Sequence, residues 1–146
     1  MNKVYLAAPF GELKSDKRVN AERALEILTD RGFEVYAPWK YKIPHAWDYE
    51  NNEWAQMVFM NDVKALDDSD FVVVLSYGRI DTTSGTNWEA GYAFGIGKKI
   101  LLVEMTDHTM SLMVANGRYA TVVGLTGLAN YSWNTLPKLR TKTLQT

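Results

Sequence analysis

The sequence predicts an α/β protein built on a doubly wound parallel sheet of about five strands, with helices on both faces. Three observations carry that expectation. Strand-like and helix-like segments alternate along the chain, the order that repeated βαβ units require. The run Phe71-Val72-Val73-Val74-Leu75 is continuously apolar, as a central strand covered on both faces must be. Pro9 and Pro38 each close an earlier apolar run, so two strands stop there.

Element by element, Val4 to Ala8 reads as the first strand. Ala21, Ala24, Leu25 and Leu28 follow the i, i+3, i+4, i+7 spacing of an amphipathic helix from about residue 17 to 31, with Gly32 as its C′ residue. Phe33 to Ala37 is the second strand. Residues 38–52 carry two prolines, several aromatics and mixed charge. They read as a long loop, a length that usually serves function. A helix follows from about Glu53 to Leu66. Its apolar stripe includes Trp54, Val58 and Ala65, and Asp62 lies on the same stripe. After the central strand, Ser76 to Ser84 is a loop that leads into a helix ending near Gly97. Gly91, Ala93 and Gly95 are expected to let that helix approach the sheet closely. Ile100 to Val103 is a fourth strand, Asp107 to Arg118 a mobile-looking segment, and Tyr119 to Val123 a last strand. The tail from Leu128 is weakly patterned and reads as a short helix. This order predicts a flavodoxin-like sheet forming a single domain over residues 1–146. Such sheets bind ligands outside the carboxyl ends of their strands. The segments placed there are Ala8–Lys14, Pro38–Asn52, Tyr77–Glu89 and Glu104–Met113.

Composition narrows the chemistry. The 146 residues are 47% hydrophobic and 23% charged, with net charge −1. That is ordinary globular composition, and it gives no reason to expect binding to nucleic acid polymers or anionic membranes. There is no cysteine, and the only histidines are His45 and His108. Disulfides, zinc-thiolate sites and thiol catalysis are therefore excluded. The chemistry must run on carboxylates, hydroxyls, aromatics or backbone, and no cofactor or metal is expected. No stretch approaches the roughly 18 apolar residues of a membrane span. The N-terminus lacks a signal-peptide pattern, so a soluble cytoplasmic protein is expected.

Three residues stand out. Glu89 lies in Ser84-Gly85-Thr86-Asn87-Trp88-Glu89-Ala90-Gly91-Tyr92-Ala93, expected in the first turn of the helix. Thr86-x-x-Glu89 reads as a capping box, in which Glu89 returns a hydrogen bond to the cap. The functional reading is a nucleophile held ionised by the helix dipole. Asp62, an acid on an apolar face, is costly to bury without a partner. It reads either as a solvated stripe-edge residue or as a proton donor whose pKa burial raises. Tyr5 reads as an ordinary sheet aromatic or as a phenol that orients Glu89.

Together, Tyr5-x-Ala7-Ala8-Pro9-Phe10, Asn61-Asp62 and Ser84-Gly85-Thr86-x-Trp88-Glu89-x-Gly91-Tyr92-Ala93 resemble the nucleoside 2-deoxyribosyltransferase superfamily, over roughly residues 3–115. The resemblance implies a flavodoxin-like oligomer that breaks the N-glycosidic bond of a nucleoside or nucleotide. It implies that Glu89 attacks the anomeric carbon to form a glycosyl-enzyme intermediate. It further implies that Asp62 protonates the departing base, that Tyr5 positions the nucleophile, and that Phe10 and Trp54 wall the base pocket. Two-carboxylate chemistry of this kind has a counterpart in O-glycoside hydrolysis.

The chain departs from the transferases at two positions. Where they carry an aspartate for the sugar 5′-hydroxyl, six residues before the nucleophile, this chain has Thr83. Where they carry an asparagine from a neighbouring subunit, it reads Ser111-Leu112-Met113. Small hydroxyls suit a phosphate, which an aspartate would repel. The same exchange occurs in the 2′-deoxynucleoside 5′-phosphate N-hydrolases. Ser84, Thr86 and backbone N–H groups at the helix start, that of Gly85 included, are expected to add donors. Thr83 and Ser111 also read as plain loop residues, and Asp81 is near enough in sequence to replace the missing aspartate if the loop bulges. The phosphate hydrolases have a Ser and an Arg after the first strand. Here those positions hold Pro9 and Gly11, which leaves Lys14, Lys17, Arg18 or Arg118 as cation candidates. The favoured expectation is a hydrolase of (2′-deoxy)nucleoside 5′-monophosphates. It would act as a homodimer or larger homo-oligomer, with Ser111 and Met113 completing a partner's site. Base exchange on 2′-deoxynucleosides is the alternative. A non-catalytic nucleotide-binding module is the third reading; a receiver-like version would need acids after the first strand, and Ala8-Pro9-Phe10-Gly11 has none.

Overall fold

The computed structural model describes residues 2–12, 14–78 and 84–133. Five parallel strands form one sheet in the order β2-β1-β3-β4-β5, with β1 Lys3–Ala7, β2 Glu34–Tyr36, β3 Phe71–Ser76, β4 Lys99–Glu104 and β5 Ala120–Val123. That is the flavodoxin-like order, whose switch point lies between β1 and β3. The helices are α1 Asp16–Asp30, α2 Asn51–Asp68, α3 Ser84–Gly95, α4 Leu112–Asn116 and α5 Gly124–Asn130.

The pleat explains the apolar runs. Val4 and Leu6 of β1, with Phe71, Val73 and Leu75 of β3, face Ala21, Ala24 and Leu28 of α1 and Leu128 of α5. Tyr5 and Ala7, with Val72 and Val74, face Leu66 of α2 and Ala90 and Ala93 of α3. Alternate residues thus enter two separate cores. The β1–β2 register pairs Tyr5 with Tyr36, so both side chains stand on the α2/α3 face.

Local chemistry sets the ends of α1. The Ser15 side chain accepts the Arg18 N–H at 3.2 Å, an N-cap. At the other end Gly32 has φ +89°. Its N–H reaches the Thr29 carbonyl at 2.9 Å, and the Phe33 N–H reaches Leu28 at 3.3 Å, a Schellman closure as Gly32 predicts. Glycine is required again at Gly78, with φ +84°, where an added Cβ would lie 2.6 Å from His108 Cβ. That close approach joins the end of β3 to the segment after β4.

Several expectations need correction. The segment predicted to be mobile between Asp107 and Arg118 contains α4. The long loop after β2 contains two short 3-10 turns, Pro38–Lys40 and Ala46–Asp48, and α2 begins before the expected Glu53. There the Glu53 carboxylate accepts the Glu50 N–H at 3.2 Å, a local capping contact that the apolar stripe does not reveal. The surface of α3 that meets the sheet is Thr86, Ala90 and Ala93. Gly91 and Gly95 are exposed, and nothing lies within 4 Å of a Cβ built on either. They are not what brings the helix to the sheet.

Candidate active site

A cavity of about 480 Å³ opens at the carboxyl edge of β1, between α2 and α3, and its wall includes Phe10, Asp62, Gly85, Thr86, Trp88 and Glu89. Three predicted side chains meet here through different elements. Tyr5, the third of five residues in β1, is fully buried, and its hydroxyl donates to Glu89 Oε2 on α3. Asp62 reaches the cavity from α2, half-buried. Its Oδ1 accepts the Tyr36 hydroxyl at 2.9 Å.

Glu89 is the sixth residue of α3, one turn deeper than expected. It is therefore neither a capping-box partner for Thr86 nor a carboxylate held ionised at a helix N-terminus. Thr86 is itself buried inside α3. Burial pushes the Glu89 carboxyl up to about 7; the Tyr5 hydroxyl pulls it down and the Asp62 charge pushes it further up. Burial also raises Asp62, against the Tyr36 hydroxyl, which favours its ionised form. Burial and the partner carboxylates raise both tyrosines, so they remain hydrogen-bond donors at neutral pH. The Asp62 charge thus disfavours ionisation of Glu89, and burial disfavours the ionised form of both carboxyls. Such a pair can supply one ionised carboxyl and one that carries a proton.

Phe10 lies tilted against the buried Trp39 at 5.7 Å. Arg18 packs over the Phe10 ring at 5.2 Å, with Nε donating to the Phe10 carbonyl at 3.3 Å. Among the cation candidates, Arg18 stands at this wall. The Lys17 ammonium sits over the Tyr77 ring, and Arg118 donates to the Ala115 carbonyl at the end of α4. Lys14 is exposed.

Not every predicted site residue gathers here. Trp54 is 43% exposed and does not line the cavity in this chain. The first turns of α2 are exposed, so the stripe that Trp54 shares with Asp62 leaves the sheet before reaching it. Ser84 is the exposed first residue of α3, while Gly85 reaches the cavity wall. Ser111 precedes α4 without a side-chain capping bond. Met113, 84% exposed, lines a separate apolar cavity of about 390 Å³ between α3 and α4. Thr83 and Asp81 lie outside the described residues. Among the described residues, no three His, Asp or Glu side chains converge in a way that would hold a metal ion, and no helix is long and apolar enough to cross a membrane.

Two site residues escape sequence reasoning. Tyr36 is visible only once the β1–β2 register sets it beside Tyr5. Trp88 adjoins Glu89 within the recognised motif, which was signal enough, yet no role follows from the motif alone. It lines the cavity, held by Tyr92, stacked at 5.4 Å, and by Phe59, edge-on at 5.3 Å.

Comparison with known proteins places these features in context. The family model for nucleoside 2-deoxyribosyltransferase matches residues 4–126. A 2-deoxyribosyltransferase from Bacillus psychrosaccharolyticus is 28% identical, with TM-score 0.82 over 92% of this chain and 96% of that one. A conserved protein from Enterococcus faecalis is 19% identical, with TM-score 0.67 over 88% and 95%. A CMP N-glycosidase from Clostridium botulinum is 16% identical, with TM-score 0.54 over 83% and 88%. These last two share the fold. No curated protein matches the chain. With the matched model spanning most of the sequence, the chain belongs to the nucleoside 2-deoxyribosyltransferase family.

Proposed function

We propose that the protein cleaves the N-glycosidic bond of a (2′-deoxy)nucleoside 5′-monophosphate and releases the free base. The observation that carries this reading is the Glu89 carboxylate, fixed by Tyr5 in the same cavity as the half-buried Asp62. The Glu89 carboxylate attacks the anomeric carbon as the bond to the base nitrogen breaks. The bonding pair goes to the base, which takes a proton from Asp62. Water then attacks the same carbon of the glycosyl ester and gives a proton back to Asp62, and Glu89 leaves as carboxylate. A neutral base is a poor leaving group, so the proton must arrive as the bond breaks. Phe10 and Trp88 offer flat faces for the base ring.

Support for a 5′-phosphate comes from Thr83 and Ser111, which stand where the transferases carry an aspartate and an asparagine. Arg18 at the Phe10 wall adds a cation. Phosphate would thus be held by local donors, which suits a chain of net charge −1. Leu112 and Met113 are 79% and 84% exposed. Adjacent apolar side chains left this open suit burial against a second subunit, in keeping with Ser111 and Met113 completing a partner's site in a homo-oligomer.

A second reading, base exchange on 2′-deoxynucleosides, is favoured by the greater likeness to the Bacillus transferase, 28% against 16% identity for the CMP N-glycosidase. Chromatography of nucleosides and 5′-monophosphates, with and without a free acceptor base, separates the two. The hydrolase reading expects base release from the monophosphate and much weaker release from the nucleoside. Equal cleavage of the two would remove the phosphate assignment. Exchange that outruns release would establish the transferase.

A further inference from the structure

We propose that Tyr36 is a positioning residue for the proton donor: it holds Asp62 by one carboxyl oxygen and locks it to the nucleophile through a stacked pair of tyrosines. This rests on Glu89 and Asp62 being the reacting pair.

The arrangement begins with strand register. Tyr5 and Tyr36 are opposite one another on adjacent parallel strands, and their rings stack at 5.4 Å and 20°. The two hydroxyls diverge to different carboxylates, Tyr5 to Glu89 and Tyr36 to Asp62. Tyr41 covers Tyr36 at 5.7 Å and 32°. The three rings therefore run from the fully buried Tyr5, through the half-buried Tyr36, to Tyr41 at 52% exposure. Motion of either phenol is restrained by the other, so the two carboxylates share one rigid support although they lie on different helices.

Two chemical consequences follow. Tyr36 occupies Oδ1 of Asp62, which leaves Oδ2 to carry the proton toward the base. The phenol also stabilises the carboxylate that remains after transfer, and this makes Asp62 a stronger acid than burial alone would allow. The titratable groups that face this pair are Tyr5 from β1, Tyr41 from the segment after β2 and Glu89 from α3. On α2 itself Lys64 pairs with Asp68 at 3.8 Å. Lys3, Glu34, Lys64 and Asp68 line the groove that Tyr36 shares on its other side.

The test is Tyr36→Phe, which keeps the stacked ring and removes the donor. Titration of the Asp62 carboxyl by ¹³C NMR, wild type against variant, needs no turnover. The expected result is an upward move of about one pH unit in the variant; an unmoved Asp62 overturns the proposal. In assays of base release, kcat is expected to fall roughly tenfold to a hundredfold for a poorly activated base. The basic limb of the pH profile should move upward with the Asp62 titration. A lower thermal midpoint with an unchanged profile would make Tyr36 a packing residue only and would also overturn it. If the wild type releases no base from any substrate, the reaction assignment fails, while the NMR result still decides the Tyr36–Asp62 link.

Discussion

Tyr5 on β1 and Glu89 on α3 are joined by a hydrogen bond that spans 84 positions of sequence. The phenol is fully buried, and burial and the neighbouring carboxylates keep it protonated. As a neutral phenol it donates to Glu89, and that bond favours the ionised form that a nucleophile needs. Desolvation works the other way, and the balance leaves Glu89 near 7. A carboxylate short of stabilisation is more reactive than one satisfied by water, provided something holds it in place. Tyr5 does that holding.

Removing that donor has a predictable sign. Tyr5→Phe takes away the bond that favours ionised Glu89, so its carboxyl should titrate above about 7. The acid limb of kcat/KM should move to higher pH, with a rate loss of roughly tenfold to a hundredfold from misplacement. Profiles of variant and wild type on one substrate check this. A limb that stays put would mean that Tyr5 contributes packing alone.

Asp62→Asn should act in the opposite direction on Glu89. The Asp62 charge raises the Glu89 carboxyl, so its removal lets Glu89 ionise at lower pH. Proton donation is lost as well, at a cost of about 10²- to 10⁴-fold for poorly activated bases and much less for bases that leave without help. Rates across bases of graded basicity measure this. A uniform loss would argue against Asp62 as the acid.

Stability carries the same signature. The folded Glu89 titrates near 7, above the ordinary value of 4.5. Between those pH values the native state keeps a proton that the unfolded chain has released, so stability falls as pH rises through the window. Glu89→Gln removes this dependence. The variant should match the wild type near pH 4 and exceed it above pH 7, by on the order of 2 to 3 kcal/mol at most. Thermal or denaturant unfolding across pH measures the difference. A constant offset would mean that Glu89 is not strained by burial.

Much of this was legible in the sequence, and the failures have physical reasons. The central strand declared itself because Phe71 to Leu75 are apolar on both faces, and Tyr5, Asp62 and Glu89 fall in recognisable local patterns. Glu89 was misplaced by one turn because α3 begins at Ser84, ahead of the apparent Thr86 cap. Trp54 was misplaced because helical periodicity gives a direction but not the reach of the neighbouring sheet. Gly91 and Gly95 suggested close packing, yet Thr86, Ala90 and Ala93 make the contact. Tyr36 was invisible because its importance depends on the β1–β2 register, a non-local quantity.

The most direct test is to quench the protein during turnover with a 2′-deoxynucleotide or 2′-deoxynucleoside substrate and map the adduct by peptide mass spectrometry. The account predicts one deoxyribosyl group in ester linkage on Glu89, absent in Glu89→Gln, which should also release no base. An adduct on another residue, or base release that survives Glu89→Gln, would contradict it.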